Sequence, residues 1–221
     1  MNVGVLGTGT VGETLGSAFL RLGHAVRMGS RSTPNDRAQA WVAAQGGAAS
    51  AGTFAEAAAF GEIVFNCTSG VHSLEALDAA GADALAGKVL VDVANPLDFS
   101  GGFPPRLAVA DDDSLAEHIQ RAFPLTQVVK ALNTVNASVM VDPAALAEPT
   151  DLFVAGDDGA AKALVTDLLV ELGWSRERVR DLGGLATSRA TERYLMLWLS
   201  LMGGLGSAAF NVRVVTADGQ P

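Results

Sequence analysis

The sequence predicts an α/β protein with a doubly wound, mainly parallel sheet and a short C-terminal extension of one helix and one strand. Three observations predict it. An apolar run (Val3, Val5, Leu6) enters Gly7-x-Gly9-x-x-Gly12 and leaves as a helical pattern through Val11, Leu15, Ala18, Phe19 and Leu22. Strand-like runs then alternate with helix-like ones along the chain, the pattern of β-α-β units. The run from Glu62 to Cys67 is near-continuously apolar, as a parallel strand covered on both faces must be.

Bulk properties narrow the function class. With 221 residues, 49% hydrophobic and 18% charged, the chain can bury a full core. A net charge of -9 argues against nonspecific binding to nucleic acid or to an anionic membrane. The single cysteine, Cys67, allows no internal disulfide and fits a reducing cytoplasm. No signal peptide precedes the first strand, and the most apolar segment, Tyr194 to Leu205, is short of the roughly 20 residues a membrane span needs. The expectation is a cytoplasmic protein.

In order, Gly23-His24 breaks the first helix, and Val26 to Gly29 forms a second strand. Asp36 to Gln45 reads as a helix with Trp41 and Val42 inward, ended by Gly46-Gly47. Ala48 to Ser50 reads as a short strand, and Thr53-x-x-Glu56 as a capping box opening an alanine-rich helix. After the strand at 62–67 come a helix from Leu74 to Ala80 and a strand from Lys88 to Ala94, closed by Asn95-Pro96 because proline cannot extend a central strand. A long loop, Leu97 to Asp113, is a candidate substrate rim. Its acids Asp111, Asp112 and Asp113 precede the helix cap Ser114-x-x-Glu117, where they suit the dipole better than a metal. Strands follow at Gln127 to Leu132, Asp151 to Gly156 and Arg178 to Leu182. Asp157-Asp158-Gly159 opens a helix through Leu172, a long helix runs from Ser188 to about Leu201, and Asn211 to Val215 reads as a terminal strand. Residues 1–184 thus form the main domain and 185–221 an extension packing on it or on a second subunit.

The glycine stretch carries the chemistry. Gly7 permits the tight turn, Gly9 lets backbone approach a pyrophosphate, and Gly12 lets helix and strand pack closely. The N–H groups opening the helix then face the phosphates. This is the dinucleotide-binding signature of a Rossmann-type fold, in the strand-turn-helix context it requires. An NAD-type fold places an acid about 20 residues past the glycines. Here Gly29-Ser30-Arg31-Ser32 stands there instead, and a hydroxyl followed by a guanidinium suits a 2′-phosphate; the alternative is a plain solvated loop. The sequence therefore predicts NADP over NAD.

Other candidate residues lie at strand ends, where open α/β sheets bind ligands. Asn66-Cys67-Thr68-Ser69-Gly70-Val71-His72 has three readings: a catalytic cysteine, a serine nucleophile, or a cofactor-facing loop. No GxSxG elbow supports the serine, and the loop reading is preferred. Ala94-Asn95-Pro96 either reaches the nicotinamide end or makes an Asx-type turn. Asn133-Thr134-Val135-Asn136 is a further polar strand end facing the same crevice.

These residues together resemble the NADP-dependent deazaflavin (coenzyme F420) reductases and their kin, which include the NADPH-binding domain of membrane ferric reductases. The resemblance rests on Gly7-Thr8-Gly9-Thr10-Val11-Gly12, on Gly29-Ser30-Arg31 and on Val128-Val129-Lys130-Ala131-Leu132-Asn133-Thr134-Val135, with Asp92-Val93-Ala94-Asn95-Pro96 in support. It implies that Thr8, Gly9, Thr10 and Val11 hold the pyrophosphate and that Ser30 and Arg31 hold the 2′-phosphate. It implies that the Cys67, Thr68, Ser69 and His72 loop, with Ala94, Asn95, Pro96 and Ala137, flanks the nicotinamide half. Asn133, Thr134 and Val135 would lie against a flavin-like substrate. Relatives that reduce deazaflavins can carry histidine where this chain has Asn133, and a basic residue where it has Asn35. The implied activity is hydride transfer between NADPH and a deazaflavin. Alternatives are another small acceptor (ferric, flavin or 2-keto acid) and an NADP-binding sensor without turnover. Proximity and orientation carry such a reaction, so no single residue is assigned as catalytic. A hydroxyacid-dehydrogenase relative would need a catalytic lysine in a C-terminal domain, and no lysine follows Gly184. A homodimer through the apolar helix at 194–205 is expected.

Overall fold

The computed structural model describes residues 1–109 and 112–217. The strands are β1 (Asn2–Leu6), β2 (Ala25–Ser30), β3 (Ala49–Thr53), β4 (Ile63–Asn66), β5 (Val89–Asp92), β6 (Leu97–Asp98), β7 (Arg106–Leu107), β8 (Gln127–Ala131), β9 (Leu152–Gly156) and β10 (Val179–Asp181). The helices are α1 (Thr10–Arg21), α2 (Asp36–Gln45), α3 (Phe54–Phe60), α4 (Ser73–Ala80), α5 (Ala82–Leu85), α6 (Leu115–Ala122), α7 (Ala137–Val141), α8 (Gly159–Glu171) and α9 (Ser188–Leu205).

Eight strands form one sheet in the order β10-β9-β8-β5-β4-β1-β2-β3. β1 pairs in parallel with both β2 and β4, so the winding reverses at its carboxyl end. β9 pairs antiparallel with β8, so β9 begins at the edge where the parallel strands end. Alternate strand residues point into two apolar layers. Val3, Val5, Phe65 and Val91 pack with α1, α2, α7 and α8, while Leu6, Val64, Leu90 and Val128 pack with α3, α4 and α6. β4 and β5 are buried at every residue, the double-sided burial that their apolar sequences require.

The helix starts follow local chemistry. Thr53 and Glu56 form the full capping box, Glu56 N donating to Thr53 Oγ1 at 3.2 Å and Thr53 N to Glu56 Oε2 at 2.7 Å. Asn35, Ser114 and Asp158 each accept from a backbone N–H of the helix they open.

Three expectations change. The 97–113 loop contains an antiparallel ribbon, β6 with β7, closed by Asp98 and Arg106 at 2.8 Å. Asp113 does more than face the α6 dipole: it pairs with Arg121 at 2.6 Å and His118 at 2.8 Å, while Asp111 lies outside the described residues. The terminal strand at 211–215 does not form. That segment is tied mainly to Asp151, with Asp151 N donating to Val212 O and Val214 N to Asp151 Oδ2, while Asn211 Nδ2 donates to Thr150 Oγ1 and Asp151 O and Arg213 pairs with Glu148. The Asp151 side chain takes the donor that a backbone carbonyl would need for a repeating ladder.

Candidate functional site

The carboxyl ends of β1, β4, β5 and β8 open on a cleft in two parts, about 480 and 510 Å³ in volume. The loop Cys67-Thr68-Ser69 lines both and divides them. The first part is walled by Gly7, Thr8, Gly9, Ser30, Arg31, Asn35 and His72. The second is walled by Thr10, Val11, Ala94, Asn95, Asn133, Thr134, Val135, Ala137 and, from α9, Leu195 and Trp198.

The glycine turn is held rigidly. Gly7 has φ of +118°, and its N–H donates to Gly29 O at 3.0 Å, joining it to the end of β2. A Cβ on Gly12 would lie 2.3 Å from Gly7 O, so Gly12 lines neither cavity and serves the close packing of α1 on the turn. Gly9 differs: a Cβ there would meet nothing within 4 Å. Nothing in the protein's own packing calls for glycine at this position. The open backbone beside the start of α1 fits a pyrophosphate, which would need that space and those N–H groups.

Arg31 is exposed at the rim of the first cavity and makes no ion pair among the described residues. Arg37, the other nearby guanidinium, is held by Glu13 at 3.1 Å. Ser30 is buried, and its hydroxyl donates to Ser32 O at 2.7 Å, so among the described residues the free guanidinium at this rim is that of Arg31. His72 lines the Arg31 part of the cleft, and the turn Gly70–His72 carries the chain over to that side before α4. Pro96 lines neither cavity. It is buried, and its carbonyl accepts from Ala108 N at 2.7 Å, anchoring the ribbon.

Cys67 lines both cavities but is 9% exposed, and burial, with Asp92 adding to it, pushes its thiol well above its ordinary value. A thiol held neutral in this way is no nucleophile, which removes the catalytic-cysteine reading.

At the far lip, Leu132 adopts φ of +64° while fully buried. A bulky residue there is strained by about 1–3 kcal/mol, a conformation kept where surrounding structure imposes it. The turn brings Asn133 against Asn95. Asn95 Nδ2 donates to Asn133 O at 2.8 Å, and Asn133 Nδ2 donates to Asn95 Oδ1 at 3.0 Å. This clasp leaves Asn133 Oδ1 and Thr134 Oγ1 buried without partners in the wall of the second cavity. Buried polar atoms are ordinarily satisfied, so these two fit a hydrogen-bonding ligand such as a nicotinamide carboxamide or a polar ring edge.

Beneath this lip lies a charged layer that sequence reasoning missed. Lys130, 1% exposed, donates to Asp92 Oδ2 at 2.8 Å and to Ala94 O at 2.6 Å, and it pairs with Glu192 of α9 at 2.8 Å. Burial opposes its charge, but the two carboxylates outweigh burial and raise its pKa above the ordinary value. Asp92 Oδ1 also accepts from Asn66 Nδ2 at 2.9 Å, and Asn66 Oδ1 accepts from Thr68 Oγ1 at 2.7 Å. The network fixes the floor beneath Thr68 and Ala94. A signal was present in the sequence: Asp92 and Lys130 stand inside otherwise apolar strands, where an ionic residue needs a partner.

Comparison with known proteins agrees with this geometry. Residues 2–96 match the family profile described as NADP oxidoreductase, coenzyme F420-dependent. A crystal structure from Arthrobacter sp. FB24, of a candidate F420-dependent NADP-reductase, is 47% identical, with a TM-score of 0.91 over 97% of this chain and 99% of that one. The chain belongs to the coenzyme F420-dependent NADP oxidoreductase family. Two further relatives are 31% identical: the rat metalloreductase STEAP3, over 86% of this chain and 35% of that protein, and the F420-dependent NADP reductase of Methanocaldococcus jannaschii, over 62% and 60%. The chain thus spans about a third of the first of these curated relatives and three fifths of the second. Its fold, a mostly parallel sheet wound on both sides, is the one the Arthrobacter structure shares. No helix among the described residues is long and apolar enough to cross a membrane.

Proposed function

We propose that this protein transfers hydride between NADPH and a deazaflavin of the coenzyme F420 type. The observation that carries the reading is the two-part cleft. One part combines the open backbone at Gly9 with an unpaired Arg31, and the other is a cavity without charged side chains, walled by Asn95, Asn133 and Trp198.

In this reading the backbone of Thr8, Gly9, Thr10 and Val11 holds the pyrophosphate, and Arg31 binds the 2′-phosphate through its fork of donors. Thr68, Ala94, Asn95 and Ala137 seat the nicotinamide. Asn133, Thr134 and Val135 face the acceptor, with Asn133 Oδ1 and Thr134 Oγ1 as its hydrogen-bonding partners. The bound NADPH supplies the hydride, which leaves with its electron pair, while water supplies the proton that the acceptor takes up. The protein's part is to fix the two rings and exclude water, which Val11, Val93, Leu97, Met140 and Leu195 do by walling the cavity with hydrocarbon. Leu197 and Leu205 of α9 are 55% and 61% exposed, and in this reading that apolar face is covered by a second copy of the chain. A monomeric mass by light scattering at micromolar protein would refute the dimer.

The test follows NADPH oxidation spectroscopically with deazaflavin, flavin and ferric acceptors in parallel. The deazaflavin is expected to give the highest kcat/KM. Turnover only with flavin or ferric acceptors would replace the acceptor assignment, and tight NADPH binding without any turnover would replace the reading with a sensor.

A further inference from the structure

We infer that the buried Asp92–Lys130–Glu192 cluster is a redox-tuning device that favours the oxidised, positively charged form of the bound nicotinamide. It rests on the cofactor reading above.

The argument is one of charge. Every partner of the two carboxylates is a donor. Asp92 accepts from Asn66, from Ala94 N at 3.2 Å and from Lys130; Glu192 is paired with Lys130 and accepts from Leu115 N at 2.9 Å and Ala116 N at 3.3 Å. A carboxyl surrounded by donors alone is ionised. Two anions against one ammonium leave the cluster at net -1, in side chains no more than 2% exposed. The two N–H groups at the start of α6 bring a partial positive charge to Glu192, about half an elementary charge at most, so the sign stays negative. The neighbouring Arg189–Glu117 pair is neutral as a unit.

The position matters as much as the sign. Lys130 Nζ bonds the carbonyl of Ala94, and Asn66 links Asp92 to Thr68; both Ala94 and Thr68 face the second cavity. Leu195, one turn beyond Glu192 on α9, lines it as well. Among the described residues the cavity wall carries no ionised side chain to offset the cluster, since Cys67 is held neutral. Oxidation of NADPH to NADP⁺ raises the nicotinamide ring from neutral to +1. A fixed negative charge behind that wall binds the oxidised ring more tightly than the reduced one, and differential affinity is what shifts an equilibrium. A purely structural cluster would change both affinities alike.

The experiment measures the Kd of NADPH and of NADP⁺ by calorimetry, with no acceptor present, for the wild-type chain and for Glu192→Gln. The variant keeps the side-chain shape and takes the cluster from -1 to 0. The ratio Kd(NADP⁺)/Kd(NADPH) is expected to rise roughly threefold to tenfold, the scale of one charge acting at effective dielectric near 20 over more than one side-chain length. Asp92→Asn makes the same charge change from another element and is expected to do the same, which keeps the test open should one variant fold poorly. Glu192→Asp retains the charge and should leave the ratio at the wild-type value even if both affinities fall. Equal changes in both Kd values for Glu192→Gln and Asp92→Asn would overturn the inference while leaving the cofactor reading intact. Failure of the wild-type chain to bind either nucleotide would overturn both.

Discussion

Arg31→Ala isolates the feature that separates NADPH from NADH. Arg31 is exposed and has no ion pair to give up, so its removal leaves no orphaned carboxylate and should not alter stability beyond about 0.5 kcal/mol. A charge-assisted hydrogen bond contributes about 1.5–3 kcal/mol. Solvent and salt screen an exposed site, so the lower half of that range applies, about 1.5–2 kcal/mol. At 1.4 kcal/mol per tenfold, the Kd for NADPH should rise about 10–30-fold. The Kd for NADH, which lacks the 2′-phosphate, should move less than about twofold. Arg37→Ala is the internal control. That guanidinium is already held by Glu13 at 3.1 Å, so its loss should change NADPH affinity far less. The assay is a titration of both nucleotides against all three proteins at two salt concentrations, and the Arg31 effect should shrink at the higher one. Equal weakening of NADPH and NADH by Arg31→Ala would refute the 2′-phosphate assignment, and a larger effect from Arg37→Ala would move the site to that residue.

Three further outcomes are expected. Gly9→Ala should fold with a melting temperature lowered by only a few degrees, because its Cβ meets no protein atom within 4 Å and only an N-cap preference is lost, yet lose most NADPH affinity; a large fall in melting temperature with retained binding would contradict the cradle. Cys67 should resist alkylation in the folded protein at neutral pH, and because its folded pKa is raised above the unfolded value, stability should be lost as pH rises past about 9. A denaturant series from pH 7 to 10 reads this directly, and Cys67→Ala should flatten it. Asn95→Ala strands the Asn133 amide and should cost about 1–3 kcal/mol, with Asn133→Ala similar and the double variant well short of their sum in a double-mutant cycle.

The phosphate-side half of this architecture was legible because short-range rules govern it. Turn, helix start and strand lie within residues 2–21, where the apolar run before Gly7-x-Gly9-x-x-Gly12 and the helical pattern after it make the arrangement readable. Helix caps at Thr53, Ser114 and Asp158 were readable for the same reason, each being a contact over three residues. The ring-side half depends on long-range contacts. The Asn95–Asn133 clasp spans 38 residues, and the bonds from Glu192 to the start of α6 span 77 and 76. No periodicity announces such contacts. Which cavity His72 lines depends on how one 3-10 turn swings between the two, a matter of a few backbone angles that the sequence does not announce. Asn211 to Val215 has strand-like composition, but side chains answer it instead of a ladder: the Asp151 carboxylate takes Val214 N, and Asn211 bonds Thr150 and Asp151.

The two halves of the cleft handle charge in opposite ways, and their order in the fold explains why. In the proposed reading the phosphates, permanently charged, are met at the surface by the Arg31 guanidinium and by backbone N–H groups. A nicotinamide ring changes charge during the reaction, and a charged side chain in contact with it would attract water into the place where hydride must pass. The protein instead keeps the contact wall uncharged and sets its charges one layer deeper, between β5, β8 and α9. That layer needs a third element to close it, because Lys130 has a second carboxylate partner only if α9 delivers Glu192. The first turns of α9 are therefore committed to the core, with Ser188, Thr191, Glu192 and Leu195 buried, while Leu197 and Leu205 face outward. In the proposed reading one helix thereby completes the charged layer under the ring site, supplies Leu195 and Trp198 to the wall of the second cavity, and presents an apolar face to a second copy.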